Sequence, residues 1–393
     1  MNIVFFPFHD YKLSLLEGFR TRDAHIYSQT LVNKNIDKVI IINRPTLLLE
    51  MLLKRKTYKT KGTEIYSSNF MTIQKVSEKL FIIDIIDLSF IKPILKGKGF
   101  ISELYYSNRK LIEKALVILE CGSFVSYESS PLTRETVNYL SPDRKVFDGV
   151  DNFCKHDSYA ALKEKLKTEY DFIIKSYEKI FFNGKDSLDY FNCALNTHVE
   201  FMANGVDTKR FQAKYDKPKD YLLSYQKERK IAVYAGKMQS MFDIELIRDL
   251  AIANQSVDFY LLGKILEGQP DIELADLSNV IFVGDVHYDL LPAYITNATV
   301  CIIPYLVNKQ HGGDPIKFYE YLASGSSIVS TCIGDIEKYH DGISVFVVNR
   351  EDFISSFSIA LSNGTEKHNR VIPEHMTWQY KANYMFEQAK EVN

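Results

Sequence analysis

Apolar positions gather in short runs rich in valine, isoleucine and phenylalanine, separated by stretches whose apolar residues return every three or four positions. In the first half the runs are Ile3–Phe6, Val39–Ile42, Phe81–Ile85, Leu116–Leu119, Val146–Phe147, Ile180–Phe182 and Val199–Met202. In the second half they are Ile231–Tyr234, Phe259–Leu262, Val280–Val283, Val300–Pro304, Ile328–Ser330 and Val345–Val348. Many are apolar throughout instead of alternating, the pattern of strands covered by helices on both faces. Strands alternating with helices predict parallel βαβ units. Each half has enough strands for its own sheet, so the pattern predicts an α/β protein of two Rossmann-like domains. Their boundary is expected near Asn204-Gly205, before a polar stretch from Asp207 to Arg229 that reads as a linker and a leading helix. Tyr380, Tyr384, Phe386 and Ala389 give Thr377–Val392 a rough apolar face, predicting a C-terminal helix that packs back on the first domain. The expected segments are 1–205, 206–375 and 376–393.

Composition narrows the class without choosing a function. Of 393 residues, 46% are hydrophobic and 25% charged, which excludes a disordered tail, a collagen-like repeat and a coiled-coil rod. The net charge of -2 excludes a globally basic nucleic-acid binder. That average hides an asymmetry. Residues 1–150 carry 22 Lys and Arg against 16 Asp and Glu, and the rest carry 26 against 34. Lys54, Arg55, Lys56, Lys59 and Lys61 cluster in the basic part, either as a solvated loop or as a patch for an anionic membrane surface. The five cysteines form an odd, scattered set without C-x-x-C spacing, which reads as small buried hydrophobes and a cytoplasmic protein. Residues 1–8 read as a first strand, lacking the basic lead and cleavage pattern of a signal peptide. Leu80 to Ile91, broken by Asp84 and Asp87, is too short for a membrane span of ~18–20 residues.

The strongest local chemistry is the segment Gly312 to Gly325, between two strand runs. Asp314 is expected to cap a helix whose first turn holds Pro315 and Ile316, with Gly325 at its end. A helix N-terminus behind a glycine pair offers N–H groups and a positive dipole end, to which Lys317 adds a charge. Glu320, one turn on, faces the same side and suits a sugar diol. The segment reads either as a phosphate-and-ribose site or as an ordinary amphipathic helix with a surface Lys–Glu pair. Gly236-Lys237-Met238 follows a strand and suits close approach to a pyrophosphate, and Gly284 ends another. The chain has no G-x-G-x-x-G fingerprint and no Walker loop, which counts against a nicotinamide dehydrogenase or a P-loop NTPase. In the first half, His9, Asp10, Arg22, His25 and Ser130 fall where loops at strand ends would form site walls. Asp148 and Asp151 are either general bases or helix caps. No His, Asp or Glu spacing resembles a metal cage, so no protein-held metal is expected.

Four phrases, in order, carry a family resemblance: VYAGKMQSMFDIELIRDLA, DFYLLG, NVIFVGDVHYDLLPAYITNATVCIIPY and DPIKFYEYLASGSSIVST. With RDAHI, KVFDGVDNF and FMANGVDTKRF in the first half, the whole chain resembles the GT-B class of nucleotide-sugar glycosyltransferases, in particular bacterial enzymes of surface polysaccharide synthesis. The resemblance implies two Rossmann-like domains facing each other across a cleft, a donor site in the second and an acceptor site in the first. It places Gly236, Lys237, Met238, Gly284, Asp314, Pro315, Ile316, Lys317 and Glu320 on the donor side, with Glu320 on the ribose, Lys317 near the diphosphate and Gly284 near the base, most often uracil. Two positions depart from the pattern: Lys237 replaces a common arginine, and Gly312 stands where many retaining members have a glutamate. The FDGVDNF segment is similar to the inverting xanthan-type glucuronosyltransferases, which implies Asp151 as base, then Asp148, and leaves the stereochemistry open. The implied reaction moves a sugar from a nucleotide diphosphate sugar, a UDP-sugar by this resemblance, to a hydroxyl of a lipid-linked glycan, without a cofactor, at the inner face of the plasma membrane. A sugar-nucleotide epimerase on the same architecture and a non-catalytic nucleotide-sugar-binding scaffold subunit are the alternatives.

Overall fold

The computed structural model describes every residue except 55–58, 91, 310, 311, 365, 392 and 393. Two compact units result: Met1–Met202 with Trp378–Asn393, and Ala203–Thr377. Both divisions fall two or three residues from those expected at 205 and 375. Local bonds explain the shift. Asn204 Nδ2 donates to the Asp314 carbonyl at 2.5 Å, and the Val206 N–H donates to the Met376 carbonyl at 2.9 Å, which ties residues 204 and 376 to the second unit.

The first unit is built on β1 (Asn2–Phe6), β2 (Lys38–Ile42), β3 (Thr46–Leu47), β4 (Thr63–Ser67), β5 (Met71–Lys75), β6 (Leu80–Asp87), β7 (Phe124–Glu128), β8 (Arg144–Gly149), β9 (Lys179–Phe182) and β10 (Val199–Phe201). Among the described residues the sheet order is β10-β9-β8-β7-β1-β2-β6-β5-β4, with β3 on β6. Among the described strands β5 alone is reversed, pairing antiparallel with β4 on one side and β6 on the other. Ile3 to Phe6 of β1 and Val39 to Ile42 of β2 are buried at every consecutive position, so these central strands are apolar on both faces. The helix Trp378–Glu391 closes this unit: Trp378 stacks on His25 at 4.7 Å, and Phe386 meets Phe5 and Tyr127 at 5.9 and 6.2 Å.

The second unit is built on β11 (Lys230–Ala235), β12 (Val257–Leu262), β13 (Val280–Gly284), β14 (Val300–Ile303), β15 (Ser327–Thr331) and β16 (Val345–Val348). Among the described residues all six are parallel, in the order β13-β12-β11-β14-β15-β16. Its core joins Val233, Leu261, Ile302 and Val329 to Leu250, Phe318 and Phe357 of the covering helices.

Two expectations need correction. The run Leu116–Leu119 is the end of a helix, Arg109–Ile118, and the strand is Phe124–Glu128. Ile112, Ala115, Leu116 and Leu119 recur at helical spacing and are buried on one face, so the longer period governs. The β4–β5 hairpin was hidden by its polar content, since Thr72 and Gln74 are buried strand residues. Among the described residues no helix is long and apolar enough to cross a membrane.

Candidate functional site

At the carboxyl edge of the second sheet, three glycines close neighbouring strands. Gly236 follows β11, Gly263 follows β12 and Gly284 ends β13. A Cβ on Gly263, whose φ is +133°, would lie 2.0 Å from the Gly236 carbonyl oxygen, and the Gly263 N–H donates to the Gly284 carbonyl at 2.7 Å. Gly284 has φ +84°, is exposed, and opens onto free space where its Cβ would be. The strand ends thus form a lane of bare backbone.

The helix Ile316–Ala323 brings two side chains to this lane. A Cβ on Gly236 would lie 2.0 Å from Lys317 Nζ, so the ammonium sits in the space this glycine leaves open. Lys317 Nζ donates to the Tyr305 hydroxyl at 2.6 Å and lies 4.2 Å from the Tyr234 ring centre and 4.9 Å from that of Tyr305. An ammonium has three donors, and Tyr305 takes one. The Tyr234 hydroxyl donates to the Lys237 carbonyl at 2.8 Å, tying the Gly236-Lys237 turn to the same cluster. Glu320, one turn further, is 3% exposed and accepts from the Tyr288 hydroxyl at 2.6 Å. Arg210 covers the Tyr288 ring at 4.7 Å. The expected pair is therefore a positioned lysine and a buried carboxylate held by tyrosine, and the surface-pair alternative does not describe it.

Two donor-side expectations change. Pro315, not Asp314, caps the helix: its φ and ψ are -70° and 133°, and its carbonyl accepts from the Phe318 N–H at 3.0 Å. Asp314 is buried and accepts from the Tyr319 hydroxyl at 2.5 Å and the Asp335 N–H at 2.6 Å, which makes it a tie from the loop before the helix to the helix itself and to the Asp335 loop. Burial raises its pKa. Met238 is also withdrawn. Its side chain is in the core, its N–H donates to the Lys264 carbonyl and its own carbonyl accepts from the Leu266 N–H. Ile316 opens the helix, half-buried. Tyr234, Tyr288, Tyr305 and Gly263 were not singled out from sequence. The readable signal was that Gly236, Gly263 and Gly284 each close an apolar run.

In the first unit the two aspartates separate. Asp148 is fully buried at the end of β8, with both oxygens bonded to Arg22 at 2.8–3.0 Å and Oδ2 also accepting from the Tyr127 hydroxyl at 2.6 Å. This takes it from base to buried ion pair. Asp151, three residues on, is half-buried, and removal from water followed by the Asp186 charge pushes its pKa up to about 7. His9 stands at the end of β1, where its N–H donates to Asp23 at 2.9 Å. Asp10 caps the helix Tyr11–Glu17, and Ser130 accepts from the Leu132 N–H at 3.3 Å. His25 lies inside the helix Arg22–Val32, not on a strand-end loop, and is covered by Trp378. Lys59 pairs with Glu64 and Lys61 is exposed, while Arg55 and Lys56 lie outside the described residues.

The paired parallel-sheet units are the fold of the GT-B glycosyltransferases. Sucrose-phosphate synthase from Thermosynechococcus elongatus superposes with a TM-score of 0.70 at 12% identity, over 100% of this chain and 99% of that one. An α,α-trehalose-phosphate synthase (UDP-forming) from Burkholderia xenovorans, solved with glucose-6-phosphate, gives 0.63 at 12%, over 100% and 96%. Anabaena HepE, solved with UDP and glucose, gives 0.57 at 11%, over 100% and 99%. Residues 229–363, within the second unit, match the family model of glycosyl transferases group 1. No curated protein matches the chain.

Proposed function

We propose that the protein transfers a sugar from a UDP-sugar to a hydroxyl of a lipid-linked glycan in bacterial surface polysaccharide synthesis. The carrying observation is that Lys317 and Glu320, one helical turn apart, are held by Tyr305 and Tyr288 beside the Gly236 turn. In this reading Glu320 accepts from the ribose hydroxyls, and Gly284 lies by the base. Lys317, Lys237 and the N–H groups opening Ile316–Ala323 meet the diphosphate, whose charge grows as the bond from sugar C1 to phosphate oxygen breaks. The acceptor oxygen bonds to C1 and gives its proton to Asp151, whose pKa near 7 suits a general base. The UDP in the HepE structure supports the choice of nucleotide.

The test supplies a UDP-sugar with and without a bacterial lipid extract, following UDP release and the sugar by NMR. Extract-dependent release with a new glycosidic bond is expected, and Asp151→Asn should bind donor yet transfer nothing. Conversion of the sugar without acceptor would make the protein an epimerase. Donor binding with no turnover in any extract would make it a binding subunit.

A further inference from the structure

The loop after β1 holds one exposed aromatic side chain in a fixed place. Phe8 keeps 38% of its surface in solvent, while its N–H donates to Ser129 Oγ at 2.7 Å. The next N–H, of His9, donates to Asp23 at 2.9 Å, and Asp23 also accepts from the Thr21 hydroxyl and the Ala24 N–H. Ser129 and Asp23 are both buried, so two neighbouring segments pin the loop. A single exposed phenylalanine is ordinary on a protein surface. The surroundings of this ring are not.

The Phe8 ring packs against Phe153 with centres 5.2 Å apart, and Phe153 meets Tyr159 at 5.0 Å. Phe153 follows Asp151 by two positions, and one hydroxyl staples that turn. Tyr170 donates to the Asp151 carbonyl at 3.0 Å and accepts from the Phe153 N–H at 3.5 Å. Burial raises the Tyr159 pKa and the Asp151 charge adds to it, which puts Tyr159 within reach of the same carboxylate. Among the described residues no hydrogen bond offsets the burial and the Asp186 charge that act on Asp151. Tyr159, Phe153 and Phe8 therefore form a row of rings that begins beside Asp151, with Tyr159 and Phe153 buried and Phe8 at the exposed end.

A ligand that suits this row needs an apolar surface and a hydroxyl together. A pyranose has both, since its ring C–H bonds make an apolar face and its hydroxyls lie around the rim. An aromatic ring can receive that face, while a rim hydroxyl donates to the carboxylate. An acyl or isoprenoid chain would cover the rings and leave a carboxylate withdrawn from water without a donor.

We propose that Phe8 is the stacking platform of the acceptor site, and that the accepting group is a pyranose whose C–H face rests on this ring while one hydroxyl reaches Asp151. This rests on the transfer reading and narrows its acceptor, but the test needs no turnover, so either can fail alone. Saturation-transfer NMR on the full chain, with UDP present, uses methyl β-glucoside, methyl β-galactoside, methyl α-mannoside and methyl N-acetyl-β-glucosaminide, and octanol as the probe for a chain. Saturation of the ring C–H protons of at least one glycoside is expected. Phe8→Ala should weaken that glycoside about tenfold, and Phe8→Tyr should keep it within about twofold, both with unchanged UDP affinity. Phe8→Leu, which keeps bulk without a ring, should lose as much as the alanine variant and decides the case if that variant melts early. A wild type that saturates no glycoside, or a ringless variant that binds as well as the wild type, overturns the proposal. Saturation of octanol in place of the glycosides makes the row a chain site and also overturns it. Phe8-dependent glycoside binding in a protein without turnover would uphold the platform and end the transfer reading.

Discussion

Asp148 and Asp151 show how three residues of separation change a carboxylate's chemistry. Arg22 and Tyr127 take the oxygens of Asp148, which is enclosed by protein. Arg22→Ala would strand that charge in the core and cost about 3–5 kcal/mol, read as a fall in unfolding free energy. Asp151 keeps its proton up to about pH 7, because burial and the nearby Asp186 both disfavour its anion. A base must be deprotonated to act, so kcat/KM should rise with pH and level off above a limb near 7. Asp186→Asn, which removes one of the two causes, should move that limb to lower pH. A limb unmoved in that variant would dissociate Asp151 from the profile. At the other site, Gly236→Ala puts a methyl group 2.0 Å from Lys317 Nζ. It should displace the ammonium and weaken UDP binding with little change in melting temperature.

At the scale of elements, the donor-side helix was legible and its exact start was not. Apolar residues at helical spacing, with Gly312-Gly313 before and Gly325 after, mark Ile316–Ala323 in the sequence. The cap moved by one residue because Asp314 found two partners in tertiary structure, Tyr319 and the Asp335 N–H, which local pattern cannot show. Likewise Leu116–Leu119 has strand composition but belongs to a helical face that only a longer window reveals. The glycine lane could be read from the ends of apolar runs. The tyrosines that position Lys317 and Glu320 could not, since Tyr288 and Tyr305 come from loops whose approach depends on the sheet order. Tyr305→Phe should therefore weaken UDP binding several-fold, less than removal of Lys317 itself, with the fold intact by circular dichroism.

For the whole molecule, each unit has its own core, and the chain passes between them at 202–203 and again at 377–378. The returning helix completes the first core, so Trp378→Ala should cost about 3–5 kcal/mol and lower the unfolding midpoint of that unit. Stability should also depend on pH through Glu128, buried at the end of β7 and raised to about 7 by loss of water, against the opposing hydrogen bonds from Tyr177 and Thr133. The native state holds a proton that the unfolded chain releases near 4.5, so this stability is complete below that pH and fades as pH rises to 7. The loss amounts to about 3 kcal/mol, and Glu128→Gln should flatten that part of the profile. The central claim concerns the second unit as a nucleotide-sugar site. Calorimetric titration of UDP into the wild type, Lys317→Ala and Glu320→Ala measures it directly. Saturable binding weakened ~10-fold or more in each variant is predicted, and equal affinity in all three proteins would contradict it.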